Sequence, residues 1–554
     1  STWYKQGDYN SLHWFVFDDR AMYRPDEDVH IKGWMRVREN KEGGDILLPD
    51  LNGKKITYKV IGPLNNEMAT GEAEVRGLGG FDFSFKLPKT PNLGRARIEM
   101  SVPGAGLTST SFTHYFQIQE FRRPEFSVSA SAPEGPFLQG EDATVSVEAK
   151  YYAGGALPNA ETTWNVTTSQ AFFSPPNQSK YTFGSWTPWW VTWNNPSSGQ
   201  STYETFQGKT DVTGNHHLKL EFGEIDPPRP VSVTASAMVM DVNRQAWNAS
   251  TSLLVHPSLT YVGMRSDKYF VKKGEPLEIA LIASDIDGNQ LADRPVKVRA
   301  ARTQWTYKDG GYKEEQVDPQ DCEVMTAADA ESKCTFKTDV GGTYKITAIT
   351  VDDYGRSNST EMTRWVSGGK TPTARRVEQE RVQLIPDKEL YQPGDTASIL
   401  VQSPFTPAEG ILTLRRNGIT QERRFTMAES TTTLEIPVKE RHLPNLYVQV
   451  DLVGSAPRLD EKGEKDESLP RRPAYAMGQI KLKIPPLERE LEVEVKPAAD
   501  ALEPGAKTSV EVLVKDASGK ALPEAEVALV VVDESILALS SYAMADPLAF
   551  FYSE

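Results

Sequence analysis

The stretch Tyr391-Gln392-Pro393-Gly394-Asp395, followed by the run Ala397-Ser398-Ile399-Leu400-Val401, decides the fold class. Proline presets the backbone for a tight turn, and glycine accepts the positive φ that many turns require. In the run that follows, every second residue is apolar, which places one face of a β-strand in a core. An apolar or aromatic residue, a turn and an alternating strand together predict the opening of a β-sandwich.

The same device occurs five times along the chain. The other four copies begin at Tyr23-Arg24-Pro25-Asp26-Glu27, Phe137-Leu138-Gln139-Gly140-Glu141, Phe270-Val271-Lys272-Lys273-Gly274-Glu275 and Leu502-Glu503-Pro504-Gly505-Ala506. Their turn positions lie roughly 110 to 135 residues apart, which is close to the usual size of a sandwich domain. Helical periodicity is scarce, so we predict an all-β protein of serial immunoglobulin/fibronectin-like antiparallel β-sandwiches, arranged as an extended or curved string.

The repeat divides the chain into four complete sandwiches and part of a fifth. We place the domains at residues 1–120, 121–258, 259–370, 371–488 and 489–554. The second carries an aromatic-rich inserted loop. The fifth is incomplete and should expose unpaired strand edges. Its missing strands are expected in further sequence or in another chain.

Composition excludes several classes of function. The 554 residues include 61 Lys and Arg against 76 Asp and Glu, a formal net charge of −15. Phosphate binding requires a clustered excess of basic residues, so nucleic acid is not an expected partner. No apolar run approaches the roughly 20 residues that a membrane span needs.

The only two cysteines are Cys322 and Cys334. Their spacing does not match a zinc site, which would need further Cys or His ligands. They are either free thiols or a disulfide across neighbouring strands of the third sandwich. The even count and the short loop favour the disulfide, provided that the compartment is oxidising.

An aromatic cluster in the second domain is the candidate interaction surface. It lies in a proline-rich segment with Phe172, Phe173 and Phe183 nearby, and its members are Trp186, Trp189, Trp190 and Trp193. Exposed aromatics could stack on sugar rings or bind a partner. The alternatives are an inserted loop that packs its own aromatics onto a sandwich face, which is favoured, and a contact between domains.

No pattern in the sequence indicates catalysis, a metal or a cofactor. The chain has neither a Gly-x-Ser-x-Gly elbow nor a P-loop. His216 and His217 are adjacent, so on a strand they point to opposite faces. The run from Asp285 to Asn289 resembles the start of a calcium loop, but the twelfth position is Val296 where an EF-hand supplies Glu. A hairpin turn is favoured there, and we expect neither an enzyme nor a metal protein.

Three motifs, in order, resemble the bacterial alpha-2-macroglobulins. Asp19-Arg20-Ala21-Met22-Tyr23-Arg24-Pro25 is similar to an opening motif of that family, with Asp26 where the family commonly has Gly. Glu120-Phe121-Arg122-Arg123-Pro124-Glu125-Phe126 resembles the start of its next macroglobulin-like domain. The run Val531-Val532-Asp533-Glu534-Ser535-Ile536-Leu537-Ala538-Leu539, followed by Asp546-Pro547-Leu548, resembles the strand before its bait region. The resemblance spans essentially the whole chain.

The resemblance implies a mechanism whose reactive parts lie elsewhere. In this family a protease cuts the bait region, the molecule rearranges, and a buried thioester is exposed that captures the protease. The thioester needs Cys-x-Glu-Gln, but the chain has only Cys322-Glu323-Val324-Met325 and Cys334-Thr335-Phe336-Lys337. The bait region is expected just beyond Glu554. The polar stretch from Leu459 to Arg472 is a less favoured bait segment, because it precedes the strand that leads into the bait.

Two functions are consistent with these repeats and motifs. The first is the scaffold of an alpha-2-macroglobulin, a broad-spectrum protease inhibitor for bacterial defence. The resemblance implies target proteases as partners through regions outside this chain, together with the remaining domains of the same protein and a peptidoglycan-synthesis enzyme. It also implies a periplasmic location, with a lipoprotein anchor in the inner membrane. The second function is a structural stalk or adhesin of immunoglobulin-like repeats, with a carbohydrate-binding surface as a further option.

Overall fold

The computed structural model describes residues 9–41, 43–120, 126–151, 154–190, 201–242, 244–308, 311–369, 380–459, 465–466, 468–499, 501–503, 506–532 and 542–553. Four sequence predictions therefore concern residues outside the described part. They are Trp193, the Gly505 turn, the motif at 121–125 and the greater part of the 531–539 motif.

The first sandwich has nine strands in two sheets. They are β1 (Ser11–Asp18), β2 (Met22–Tyr23), β3 (Asp28–Arg38), β4 (Ile46–Leu47), β5 (Lys55–Ile61), β6 (Glu67–Glu74), β7 (Gly80–Lys86), β8 (Gly94–Ser101) and β9 (Ser111–Ile118). One sheet has the order β1-β3-β4 with β7 also on β3, and the other has the order β2-β9-β8-β5-β6. Burial alternates strictly along most of β3, so one side of that strand faces the core.

The described residues of the second sandwich form eight strands, again in two sheets. They are β10 (Phe126–Ser131), β11 (Phe137–Leu138), β12 (Asp142–Tyr151), β13 (Glu161–Gln170), β14 (Thr202–Lys209), β15 (Asn215–Glu221), β16 (Val231–Met240) and β17 (Ala246–His256). The sheet orders are β10-β12-β15 and β11-β17-β16-β13-β14. The sequence between β13 and β14 contains the aromatic insert.

The third sandwich repeats this plan. Its strands are β18 (Thr260–Arg265), β19 (Phe270–Val271), β20 (Leu277–Asp285), β21 (Gln290–Leu291), β22 (Pro295–Lys308), β23 (Gly311–Met325), β24 (Ser332–Phe336), β25 (Gly342–Val351) and β26 (Ser357–Val366). One sheet has the order β18-β20-β21 with β24 on β20, and the other has the order β19-β26-β25-β22-β23.

The described strands of the fourth sandwich are β27 (Gln383–Pro386), β28 (Thr396–Gln402), β29 (Ala408–Arg415), β30 (Ile419–Met427), β31 (Thr431–Pro437), β32 (Asn445–Ala456), β33 (Arg458–Leu459), β34 (Lys465–Asp466) and β35 (Arg472–Lys483). They form two main sheets, with the orders β27-β28-β31 and β30-β29-β32-β35. A 3-10 turn, Glu440–His442, precedes β32, and β33 pairs with β34 in a short ribbon.

The turn–strand device has the same structure in each complete sandwich. Its turn residue has a positive φ: 64° at Asp26, 83° at Gly140, 86° at Gly274 and 98° at Gly394. In the first three sandwiches the short strand before the turn pairs in parallel with the last strand of the domain, as β2 does with β9. The aromatic residue before the turn is fully buried in the first and fourth sandwiches, where it is Tyr23 and Tyr391. The predicted class of serial antiparallel sandwiches is confirmed, with these short parallel pairs as an added detail; the exact domain limits stay a prediction.

The fifth unit has one two-stranded sheet among the described residues, β36 (Leu491–Pro497) paired with β37 (Val510–Asp516). A 3-10 turn, Leu487–Arg489, precedes it, and a short helix α1 (Pro547–Phe551) follows. Val493 and Val495 on β36 remain about half exposed, as do Val527 and Leu529 further along. No helix in the described part of the chain is both long and apolar enough to cross a membrane.

Candidate functional site

The two cysteines form a disulfide, with their Cα atoms 6.1 Å apart. Cys322 is on β23 and Cys334 is on β24, two strands that are consecutive in sequence but belong to facing sheets. The bond therefore ties the edge strand of one sheet to the opposite sheet of the third sandwich. Cys334 is buried in the core and Cys322 packs at its margin.

The aromatic insert, residues 171–190, leaves the second sandwich and runs along the third. Its backbone joins β18 through a bridge in which Thr182 and Met264 exchange N–H···O bonds of 2.8 and 3.0 Å. It joins β26 as well, because Trp186 N donates to Glu361 O at 2.9 Å and Glu361 N donates to Gly184 O at 2.8 Å. These are strand-type contacts between two domains, so the insert is held by its main chain and not by its side chains alone.

Side chains of the insert pack against buried residues of the second and third sandwiches. Phe183 is buried against Tyr261 and Ile282 of the third sandwich. Phe173 lies edge-on to His256, with ring centres 4.7 Å apart. The imidazole of His256 in turn shares a 2.8 Å hydrogen bond with the Tyr261 hydroxyl. Burial lowers the pKa of His256, so this buried pair is favoured in its neutral form.

Trp186, Trp189 and Trp190 lie where the third and fourth sandwiches meet. Trp186 and Trp190 pack against Tyr269, whose ring centre is 5.3 and 5.4 Å from theirs. They complete a cluster with buried residues of both sandwiches, which are Phe270, Trp365, Ile385 and Leu400. Trp189 and Trp190 also contact the core of the fourth sandwich, and Lys483 lies over the Trp189 ring at 5.1 Å. Of the alternatives open from sequence, these contacts correspond to packing and to a contact between domains.

Arg364 is the charged centre of this junction. It is only 2% exposed, and its guanidinium lies 4.9 Å from the Trp186 ring centre and 5.2 Å from that of Tyr269. One Nη donates to the Thr363 carbonyl, whereas Nε has no hydrogen-bond partner among the described residues. Burial lowers the pKa of Arg364 to about 10. A buried cation is costly unless it is compensated, and aromatic faces supply part of that compensation.

The first sandwich meets the end of the chain at a second contact region. Arg489 makes a paired salt bridge to Asp45, with N–O distances of 2.7 and 2.9 Å. Asn417 of the fourth sandwich donates to the Gly44 carbonyl at 3.3 Å. We call Asp45, Asn417 and Arg489 the closing contact, because they join the first sandwich to the fourth and fifth units. The string of domains is thus closed on itself, which the sequence did not predict.

A tail of residues 542–553 extends the closing contact over the outer face of β1. Phe550 and Phe551 lie against Phe15, with ring centres 5.3 and 6.1 Å away. Phe551 is 9% exposed, and the Tyr542 hydroxyl donates to the Asp18 carbonyl. An apolar patch on a sheet of the first sandwich is therefore covered by residues from the other end of the chain.

The calcium-like run at Asp285 is a hairpin turn. One Asp285 carboxylate oxygen accepts the Asp287 and Asn289 amides at 3.0 and 2.8 Å, and the other accepts the Asn289 side chain at 2.9 Å. Gly288 in this turn has a φ of 90°. The same Asp-x-x-Gly-x geometry occurs at Asp211, Asp352 and Asp516. The carboxylate is thus engaged within its own turn, and the described residues contain no cluster of three or more His, Cys, Asp or Glu suited to a metal.

The histidine pair also has ordinary partners. His217 shares a 2.7 Å hydrogen bond with Ser146 across the β12–β15 pair. His216 accepts from the Trp164 indole at 3.0 Å. The two imidazoles therefore do not converge on one site.

Two family models match the chain. The model of the MG2 domain matches residues 13–118, and the model of the alpha-2-macroglobulin bait region domain matches residues 382–539. The matches coincide with the first sandwich and with the fourth sandwich plus most of the fifth unit. The chain carries an MG2 domain and an alpha-2-macroglobulin bait region domain.

Proteins similar to this chain come from several organisms. "Circularly permutated Ras protein 2" of Dictyostelium discoideum is 26% identical over 98% of the chain and 15% of its own length. The "Alpha-2-macroglobulin homolog" of a Nostoc species is 23% identical over 99% of the chain and 28% of its own length. Native alpha-2-macroglobulin of Escherichia coli aligns with 99% of the chain and 34% of its own, at 18% identity and a TM-score of 0.48. The chain spans less than a third of the length of the two curated relatives.

The bait region domain match bears on where such a protein is cut. The match includes the stretch from Leu459 to Arg472, whereas the sequence motifs place the bait beyond Glu554. A domain model does not identify the cleaved residues, so the position of the bait stays a prediction.

Sequence reasoning identified the disulfide cysteines and the tryptophans, but it missed Arg364 and the closing contact. No local signal marks these residues, since their partners lie far away in sequence.

Proposed function

We propose that the chain is the scaffold of an alpha-2-macroglobulin that inhibits proteases by trapping them after its bait is cut. The matches to the MG2 and bait region domain models support the general function. The closing contact carries the proposal for this segment, because a domain string joined end to end can hold its other parts in a defined arrangement. An open string of sandwiches, as in a stalk, would have no need of a salt bridge between its first and fifth units.

In this proposal the scaffold has no catalytic site of its own and meets target proteases through other regions of the protein. It contacts the remaining domains of the same polypeptide. The disulfide supports an oxidising compartment, because such bonds persist outside the reducing cytosol. We place the protein in the periplasm, anchored to the inner membrane as a lipoprotein, with a role in bacterial defence. A peptidoglycan-synthesis enzyme is the further partner that we propose there.

The test uses the full-length protein that carries this chain. It is incubated in molar excess with trypsin, and hydrolysis of a large protein substrate is compared with hydrolysis of a small peptide substrate. Trapping predicts that the large substrate is protected while the small one is still cleaved, because a trapped protease keeps its active site but loses access to bulky substrates. Residues 1–554 alone are the control and should protect neither substrate, since they contain no Cys-x-Glu-Gln.

Two results would contradict the proposal. The first is unchanged hydrolysis of both substrates by trypsin in the presence of the full-length protein. The second is protection of the large substrate by residues 1–554 alone, which would place the inhibitory element within this chain.

A further inference from the structure

We propose that the aromatic insert is a clasp, a segment of the second sandwich that fixes the angle between the third and fourth sandwiches. The insert belongs to neither of the domains whose junction it fills. Most of its described contacts are with those two domains and not with the second sandwich, from which it departs after Gln170. This inference goes beyond the protease trap and holds whether or not the protein inhibits a protease.

The clasp is anchored on the third sandwich at several points. The backbone bonds to Met264 and Glu361 fix its path. The Gln178 side chain donates to the Gly288 carbonyl at 2.9 Å, and the Tyr181 hydroxyl donates to Glu331 at 2.5 Å. These bonds reach both sheets of the third sandwich, through β18 and β26, and make the sandwich and the insert one unit. The tryptophans at the end of the insert are therefore held in position where they meet the fourth sandwich.

The far end of the clasp reaches the fourth sandwich. Trp190 packs at the same time on Trp365 of the third sandwich and on the core of the fourth, with a distance of 5.5 Å between the two tryptophan ring centres. Trp189 packs on the fourth sandwich beneath Lys483. Large rigid side chains that fill a junction on both sides restrict rotation of one domain on the other.

The clasp also supplies an aromatic contact to Arg364, a buried cation of the third sandwich. This buried cation has one aromatic face from its own domain, Tyr269, and one from the insert, Trp186. Loss of the insert would leave the guanidinium with half of its aromatic partners and would admit water to the junction. The clasp therefore stabilises the sandwich on which it lies as well as the angle between the sandwiches.

The ring contacts argue against the alternative in which these tryptophans bind a sugar or another external ligand. Trp186 contacts Arg364, Tyr269 and Trp365. Trp189 contacts Lys483 and Trp190. Aromatic side chains that bind sugars need an open face, and these faces already have partners within the chain.

A distance measurement between the third and fourth sandwiches tests the clasp. The protein has no free cysteine, so spin labels can be attached at Val351→Cys on β25 and Val453→Cys on β32, positions that are 43% and 53% exposed. Double electron–electron resonance on the 554-residue chain should give a narrow distance distribution. In a Trp186→Ala/Trp190→Ala background we expect the distribution to broaden at least about twofold.

Two control variants separate the clasp from a general effect of losing an aromatic residue. Phe172→Ala changes an exposed residue of the same insert, and Trp305→Ala changes an exposed tryptophan of the third sandwich. Both should leave the distribution unchanged. An equally narrow distribution in the double tryptophan variant would overturn the proposal.

A third variant covers the case in which the double variant fails to fold. Trp189→Ala removes the ring that packs on the fourth sandwich and leaves the contacts with Arg364 intact. It should broaden the distribution while hydrogen exchange of the β25 and β26 amides stays at the level of the unsubstituted chain. If the double variant does not fold, a narrow distance distribution in a folded Trp189→Ala protein would by itself overturn the proposal. If the double variant folds, narrow distributions in both variants would overturn it.

Discussion

Arg489 and Asp45 lie 444 residues apart in sequence, yet each Nη atom of the arginine donates to one carboxylate oxygen of the aspartate. Burial raises the pKa of Asp45, but the hydrogen bonds from Arg489 and the Ile46 amide outweigh it and hold this pKa below its usual value. Arg489 also reaches Glu440 of the fourth sandwich at 3.4 Å. One guanidinium thus joins three units, and the paired geometry fixes their orientation.

Asp45→Ala should loosen the closing contact without unfolding any sandwich. The side chains of Asp45 and Arg489 are both about one-third exposed, so solvent screens the salt bridge and its loss is expected to cost about 1 kcal/mol of stability. Hydrogen exchange of the tail, residues 542–553, should accelerate because that segment lies beside the salt bridge. Asp50→Ala is the matched control, since it removes an exposed carboxylate of the same sandwich. Equal exchange rates in the two variants would contradict the prediction.

Acid should release the same contact. The pKa of Asp45 is lower in the folded protein than its ordinary 3.8, so its contribution is fully present above pH 3.8 and is lost as the pH falls through the folded value. Tail exchange, corrected for its intrinsic pH dependence, should therefore increase below pH 4 in the unsubstituted chain. In Asp45→Ala the increase should be smaller.

His442 should make the fourth sandwich sensitive to mild acid. The imidazole is buried and accepts the Lys439 amide at 3.1 Å. Burial, together with the charges of Arg441 and Lys439, lowers its pKa from 6.5 to about 4. Between these values the unfolded chain binds a proton and the folded one does not, so stability falls as the pH falls, by on the order of 3 kcal/mol in total.

The His442→Asn variant tests this pH dependence. Its side-chain oxygen can accept the Lys439 amide but does not titrate. Exchange protection of the β32 amides should decline between pH 6.5 and 4.5 in the unsubstituted protein and decline less in the variant. Parallel profiles would show that His442 does not carry the effect.

The Cys322–Cys334 bond should stabilise the third sandwich. A loop of this size contributes about 3 kcal/mol by restricting the unfolded chain, in a model that treats the effect as entropic. Cys322→Ala/Cys334→Ala should lower the unfolding midpoint of β22–β26 in urea and leave β29–β32 unaffected. Thiol titration of the denatured, unreduced chain should find no free thiol; two free thiols would refute the bond.

Arg364 and Trp186 should be energetically coupled. Trp186→Ala leaves a buried guanidinium with fewer aromatic contacts, whereas Arg364→Met removes the charge and keeps a side chain of similar length. We expect Trp186→Ala to lower the free energy of unfolding by about 1 to 2 kcal/mol less in the Arg364→Met background than in the unsubstituted chain. This difference is the size of a desolvated cation–π contact. A double-mutant cycle of urea unfolding measures this difference, and additive effects would show that the two residues are independent.

Local sequence signals predicted the parts of the fold that depend on local physics. The turns at Gly140, Gly274 and Gly394 require a positive φ, and the strands after them alternate at period two, so both are visible without a structure. The positive φ of Asp26 shows that the device tolerates Asp in place of Gly, since Asp adopts this conformation more easily than most residues.

Contacts between distant residues could not be predicted in this way. The composition of the insert marked Trp186 and Trp190 as unusual, but nothing in the sequence pairs them with Trp365, some 180 residues later. Likewise, the cysteine spacing favoured a bond without showing that it joins facing sheets. The closing contact depends on how five domains curve, and no local periodicity encodes that curvature.

The bond between β23 and β24 also determines how far the third sandwich can lengthen under tension. Force applied to the chain ends passes through the sulfur atoms and bypasses the residues between positions 322 and 334. Those 12 steps would span about 40 Å when extended, whereas the bonded Cα atoms are 6.1 Å apart. Mechanical unfolding of this domain therefore releases about 35 Å less contour length than its residue count implies, until a reductant reaches the bond.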